Sequence, residues 1–200
     1  MKNQTKKTEG NLEMVSSDYR RSILDDIEAY QVCYPDESDV VRRFRDFIEG
    51  NVNCFERELD SGHLTGSSLL LDKECERVLL THHAKLDKWL QPGGHADGEK
   101  DIADVCLREA MEESGLGDIE FLHRPILDLD IHFIPSRKKE SGHLHYDCRF
   151  LLRTRSSNNY VLSSESNELA WVEFDRVHQY TDELSIRRMI SKAVKILNKD

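Results

Sequence analysis

The 200-residue chain reads as an α+β protein: a small N-terminal helical region, then a layered domain of strands and a few helices from about residue 66 to 200. Three observations predict it. Apolar residues recur at three- and four-residue steps through the first third. Beyond Gly66 that spacing gives way to short apolar runs with turn-rich flanks and to two stretches of strict alternation. One strongly helical segment, Ile102 to Ser114, follows a glycine-rich loop.

Each element follows from its residues. Residues 1–15 are polar and expected to fray. From Asp18 a helix is marked by Ile23, Leu24, Ile27 and Tyr30. Pro35 and Asp36-Glu37-Ser38 supply a turn and a cap, and a second helix carries Val40, Val41, Phe44, Phe47 and Ile48 to an end near Gly50. A third short helix is expected from Val52 to Leu59, closed by Ser61-Gly62, completing a helical region over residues 16–65. Strands are expected at Ser67–Leu71, Val78–Leu80 and Lys88–Leu90. Leu127, Leu129, Ile131 and Phe133 alternate with polar residues, as do Leu144, Tyr146, Cys148 and Phe150, so these two runs are half-buried strands. A last strand, Leu169 to Phe174, precedes a helix with Ile186, Met189, Ile190, Ala193, Val194 and Leu197 on one face.

Composition narrows the function. At 38% apolar and 33% charged residues the chain builds a core and is not of the disordered type. Lys plus Arg number 28 against 38 Asp plus Glu, a formal charge of −10. That balance argues against a nucleic-acid-coating protein, which needs a cationic surface to displace counterions. It leaves room for a local basic patch on a small phosphorylated ligand. No apolar run approaches the ~20 residues that span a bilayer, so no membrane partner is expected. Met1 to Gly10 is basic and lacks the apolar stretch of a secretory signal. Cys33, Cys54, Cys75, Cys106 and Cys148 are odd in number and scattered, which suits reduced thiols and a cytoplasmic setting.

The stretch Pro92 to Leu116, PGGHADGEKDIADVCLREAMEESGL, carries the chemistry. At ~100° per residue, Glu112 lies about −60° and Glu113 about +40° from Glu109 on the helix. Three carboxylates therefore converge on one face. Ala103, Leu107, Ala110, Met111 and Ser114 fall opposite, small or apolar enough to press on a sheet, and Gly115 is a helix stop. Like charges so placed repel. A hard divalent cation, Mg²⁺ or Mn²⁺, resolves the conflict by taking their oxygens while retaining waters and substrate phosphates. Arg108 on the flank is suited to hold one glutamate by a bidentate ion pair. Gly93 and Gly94 let backbone approach the metal or a phosphate. A run of glutamates alone is more often a solvated acidic face; the glycine pair, Arg108 and Gly115 favour a site.

This stretch closely resembles the signature of the Nudix hydrolase superfamily, G-x5-E-x7-R-E-U-x-E-E-x-G-U with U a bulky aliphatic. Gly94 matches the first glycine, Arg108-Glu109 and Glu112-Glu113 the two acidic pairs, and Gly115-Leu116 the close, with Ala110 a small substitute. One position departs: the early glutamate falls on Lys100, with Glu99 beside it. The resemblance covers roughly residues 66–200 and implies an α/β/α sandwich with a mixed sheet. It implies Mg²⁺- or Mn²⁺-assisted hydrolysis of a nucleoside diphosphate linked to a further group, with Glu109, Glu112, Glu113 and the Gly94 carbonyl as metal ligands. Arg108 joins those glutamates as a catalytic candidate. The implied partner is a small phosphorylated substrate rather than nucleic acid, and members of the family are often homodimers. The alternative is a Nudix-like module that senses a nucleotide without cutting it; Lys100 favours it and the intact Arg108 to Glu113 run opposes it.

Other positions carry weaker signals. A hairpin around Pro135 to Gly142 pairs His132 with His145 and sets Asp130 opposite Asp147. That His/Asp patch is a second cation site, a substrate contact through His145, or an ordinary wet sheet face. Arg137, Lys138 and Lys139 in the hairpin loop are either phosphate contacts or a solvated tip. Glu168, and more weakly Glu165, resemble the position in many Nudix enzymes where an extra glutamate supplies a ligand or the base. His82-His83 lacks a partner at zinc-finger spacing and is read as structural. Cys106 lies in the glutamate helix, but no activating base for it is legible.

Overall fold

The computed structural model describes residues 19–136, 141–163 and 166–198. Helix α1 spans Arg20–Cys33 and buries Ile23, Ile27 and Tyr30. A single 3-10 turn at Pro35–Glu37 leads into α2, Ser38–Gly50, which buries Val41, Phe44, Phe47 and Ile48. Both stripes follow the expected spacing, with Leu24 and Val40 only half-buried. The third helix does not form. Residues 51–62 instead string successive turns together, with Cys54 N–H on Asn51 O, Glu56 N–H on Asn53 O and Leu59 N–H on Glu56 O. Two asparagines explain part of this, since their side chains compete with helical bonding, and the Asn51 amide donates to Phe47 O at 2.7 Å, closing α2.

The sheet begins earlier than the composition shift suggests. Strand β1 runs Gly62–Leu71, so Gly62, expected to close a helix, opens a strand at φ 138°. It is followed by β2 (Arg77–His83), β3 (Lys88–Leu90) and β4 (Gly93–His95). After helix α3 (Ile102–Ser114) come β5 (Ile119–Ile134), β6 (His143–Thr154), β7 (Ser166–Glu173) and α4 (Leu184–Leu197). The order is β3-β2-β1-β6-β5, with β4 on β1 and β7 on β2. β1 and β6 are parallel while the other pairs are antiparallel, so the sheet is mixed. β5 is longer than its alternating run predicts, and its register shifts between His123 and Asp128. Pro125, which has no N–H to give the ladder, sits in that gap.

Helices cover both faces, giving the α/β/α sandwich the resemblance implies. One core packs α1, α2 and α3 on Leu64, Leu70, Tyr146, Cys148 and Phe150. The other packs Ile186, Met189, Ile190 and Ala193 of α4 on Leu69, Leu71, Leu80 and Leu151. At the sheet edge Asp128, wholly buried, receives Arg188 and Lys192 of α4, each at 2.7 Å, and Lys192 also reaches the Tyr30 hydroxyl of α1 at 2.7 Å. Among the described residues no helix is long and apolar enough to cross a membrane.

Candidate active site

Helix α3 is fixed at both ends. The Asp101 side chain accepts from Ala103 N and Asp104 N, which satisfies two backbone donors that a helix start leaves open. Gly115, left-handed at φ 67°, ends it with its N–H on Met111 O. Between β4 and α3 the chain reverses through left-handed Asp97 and Gly98, at φ 48° and 87°. The buried side of α3 is Ile102, Ala103, Val105, Cys106, Ala110 and Ser114. Leu107 and Met111, expected on it, are only half-buried. The helix rests on Gly66 of β1, where an added Cβ would stand 2.8 Å from Ile102 O and 3.0 Å from Cys106 N.

That seating turns the carboxylates toward the short edge strand β4. Gly94 lies so close to Glu109 that an added Cβ would overlap the carboxylate, and one on Gly93 would overlap the Ser67 side chain. The Gly93 N–H donates to Glu113 Oε1 at 3.3 Å. The two glycines thus allow a close approach, as expected, although they sit in a strand rather than a loop. Gly94 pairs with Gly66, and the flanking bonds are Ser68 N–H on Pro92 O and Ala96 N–H on Leu64 O. Alternation along the ladder therefore turns the Gly94 carbonyl toward β1.

Arg108 does not clamp a single glutamate bidentately. It spreads over three, with Nη1 at 2.6 Å from Glu109 Oε1 and 3.5 Å from Glu112 Oε2, and Nε at 3.4 Å from Glu99 Oε2. Its Nη2 donates to the His95 carbonyl at 3.3 Å. Partial burial opposes its charge, but Glu109, Glu99 and Glu112 outweigh that and raise its pKa. Glu99 thus stands with the arginine, while Lys100 turns away to Glu56 at 3.4 Å and lies over the Phe55 ring. The Glu109 side chain is 16% exposed and that of Glu112 62%, so the cluster grades from a fixed to a solvent-facing carboxylate. These donors are hard oxygens with an open side, which suits Mg²⁺ or Mn²⁺. Cys106 is no nucleophile candidate: complete burial pushes its thiol pKa well up, and its Sγ is bonded to Ser67 O at 3.0 Å.

The other expected residues lie elsewhere. Glu168 is exposed on β7, opposite His82 of β2. Arg137, Lys138, Lys139 and Glu165 fall outside the described residues. His145 pairs with His132, and Asp130 with Asp147, in the register the alternation predicts. It points to the sheet face opposite α3, among His63, His95 and His143, with ring centroids 4.8, 5.0 and 5.2 Å away. Burial, then the neighbouring imidazoles, push the His63 pKa down to about 4 and that of His145 to about 2, so both are neutral at pH 7. Lower on that face Asp147 accepts from Thr65 and Ser67 hydroxyls at 2.9 and 2.8 Å and from Arg149 Nε at 2.7 Å. No local pattern marks His63, which falls at the end of the expected helical region, before the expected start of the sheet at Gly66.

Comparison with known proteins agrees with this fold. The NUDIX domain family model matches residues 63–193, more than half of the chain. The chain belongs to that family. A human relative, m7GpppN-mRNA hydrolase NUDT17, is 39% identical over 62 residues, a match covering 28% of this chain and only 19% of that protein. Three solved structures share the fold. A Caenorhabditis elegans Ap4A hydrolase aligns with TM-score 0.50 and 17% identity, covering 68% of this chain and 98% of its own. A NUDIX family hydrolase from Clostridium perfringens gives 0.50 and 23%, covering 67% and 97%. The Escherichia coli dihydroneopterin triphosphate pyrophosphohydrolase gives 0.51 and 15%, covering 64% and 92%.

Proposed function

We propose that the chain is a Mg²⁺- or Mn²⁺-dependent pyrophosphohydrolase acting on a nucleoside diphosphate derivative or a related small phosphorylated metabolite. The observation that carries this reading is the packing of the Glu109 carboxylate against side-chain-free Gly94, beside Glu112, Glu113 and Arg108. An ordinary solvated acidic face has no reason to press a carboxylate on a glycine backbone. Glu109, Glu112 and Glu113 would hold the ion. A divalent ion there offsets the charge gathering on a phosphoanhydride and acidifies the attacking water.

The chain's own residues supply positioning. Arg108 fixes Glu109, and the Gly93 N–H fixes Glu113, so neither must reorganise as charge develops. Glu112 is the exposed member and takes the proton of the incoming water in this scheme. Water oxygen bonds to one phosphorus, the bridging P–O bond breaks, and the bridging oxygen leaves on the second phosphate. The test is phosphate release from a panel of nucleoside diphosphate derivatives with Mg²⁺. Glu112→Gln and Glu113→Gln are expected to lose roughly 1,000-fold, about 4 kcal/mol of barrier. Tight binding across the panel with no turnover by the wild type would instead mark a nucleotide sensor.

A further inference from the structure

Three imidazoles converge from three strands: His63 of β1, His95 of β4 and His145 of β6. Their ligating nitrogens all lie within 4.8 Å of one another. The ring centroids form a near-equilateral triangle with sides of 4.8, 4.9 and 5.0 Å. His143 stands at the rim, 4.9 Å from the His63 ring. Its Nδ1 lies 2.8 Å from the Ser141 carbonyl, to which it donates, leaving Nε2 as the lone-pair nitrogen. That Nε2 is 3.3 Å from Nε2 of His145. Two nitrogens bound tetrahedrally to one zinc ion at ~2.0–2.1 Å are about 3.3 Å apart, so the spacing suits shared coordination.

His63 supplies an independent observation. It is 2% exposed, and among the described residues neither of its ring nitrogens has a hydrogen-bond partner. Native proteins seldom leave a buried polar group so, because the loss of hydration is not recovered. A metal ion on one of those nitrogens recovers it. The three residues include no carboxylate, and imidazole suits zinc, nickel and copper where Mg²⁺ demands oxygen.

We propose that His63, His95 and His145, with His143 at the rim, form a site for a first-row transition-metal ion of the Zn²⁺ class, distinct from the carboxylate cluster of α3. Such an ion ties β4, a three-residue edge strand, to both β1 and β6. Strand alternation puts Gly94 on the Glu109 side and His95 on the imidazole side. The site therefore braces, from behind, the backbone on which the glutamates rest.

The test uses untagged, chelator-treated protein titrated with Co²⁺ and followed by visible absorption. One equivalent is expected to give the intense bands of low-symmetry cobalt, displaced by Zn²⁺ and unaffected by excess Mg²⁺. Zn²⁺ at a hundredfold excess over Kd is expected to raise Tm by roughly 5–10 °C. His63→Leu and His95→Ala are expected to weaken binding by roughly 100-fold or more, with melts of the metal-free variants showing that they fold. The triple variant Glu109→Gln, Glu112→Gln, Glu113→Gln keeps the cobalt spectrum. Folded wild type without those bands overturns the proposal, as do bands that survive the histidine changes and vanish in the glutamate variant.

Discussion

Arg149 and His63 stand on one face of one sheet, both nearly sealed from solvent, and their surroundings treat them oppositely. The Arg149 side chain is 3% exposed and faces three carboxylates, Asp147 at 2.7 Å, Asp130 at 3.2 Å and Asp128 at 3.5 Å. His63 is 2% exposed, and its ring nitrogens hydrogen-bond to none of the described residues. The first region is a closed network that welds β5, β6 and α4, and through Lys192 the N-terminal helices, into one body. The second is a cluster of imidazoles around one buried ring whose nitrogens find no hydrogen-bond partner among the described residues. A buried charge network is costly to break once one partner is removed, whereas a buried ring left unbonded speaks of a ligand.

Breaking the closed network should have the larger effect. Asp128→Ala leaves buried Arg149 and Lys192 and half-buried Arg188 around a missing carboxylate, and a loss of ~3–5 kcal/mol is expected in denaturant unfolding. Cobalt binding by the folded fraction should be unchanged, which separates the two regions directly.

Acid should act on the imidazoles first. In metal-free protein the folded state holds His63 neutral down to about pH 4, whereas an unfolded chain protonates it near 6.5. The unfolded state therefore binds more protons between those values, and stability falls as pH drops through that window. In denaturation curves across it the His63 contribution to that loss should be roughly 2–3 kcal/mol. Asp130, held below its usual pKa despite burial by the His132 hydrogen bond and by Arg149 and Arg188, keeps its charge throughout.

His63→Leu sharpens the contrast with the smallest change. Removing an unbonded polar ring from a buried site should leave the metal-free protein as stable or up to ~1 kcal/mol more so. The His63 share of the acid-induced loss should disappear with it, leaving that of His145. A clear destabilisation would mean that the ring has partners after all.

How far these regions were legible in the sequence depended on range. The glutamate face of α3 followed from helical phase alone, a property of consecutive residues, and so did the stop at Gly115. The pairing of His132 with His145 was legible because two alternating runs joined by one turn have a single sensible register. The patch around them stayed incomplete, because β1 meets β6 in parallel across some eighty residues and no local pattern announces it. His63 was lost with the misplaced start of β1. Gly93-Gly94-His95 is too short for period two to show, although its alternation decides which side holds carboxylates and which holds imidazoles. Lys192 lies in an apolar helix pattern, and only its distant partners Asp128, Glu37 and Tyr30 explain its burial.

The most direct test is Mn²⁺ binding followed by electron paramagnetic resonance. Wild type and His63→Leu are predicted to take up Mn²⁺ alike, while a variant carrying Glu112→Gln and Glu113→Gln leaves it free in solution. Undiminished Mn²⁺ uptake by that glutamate variant would contradict the assignment of the hydrolytic ion to α3.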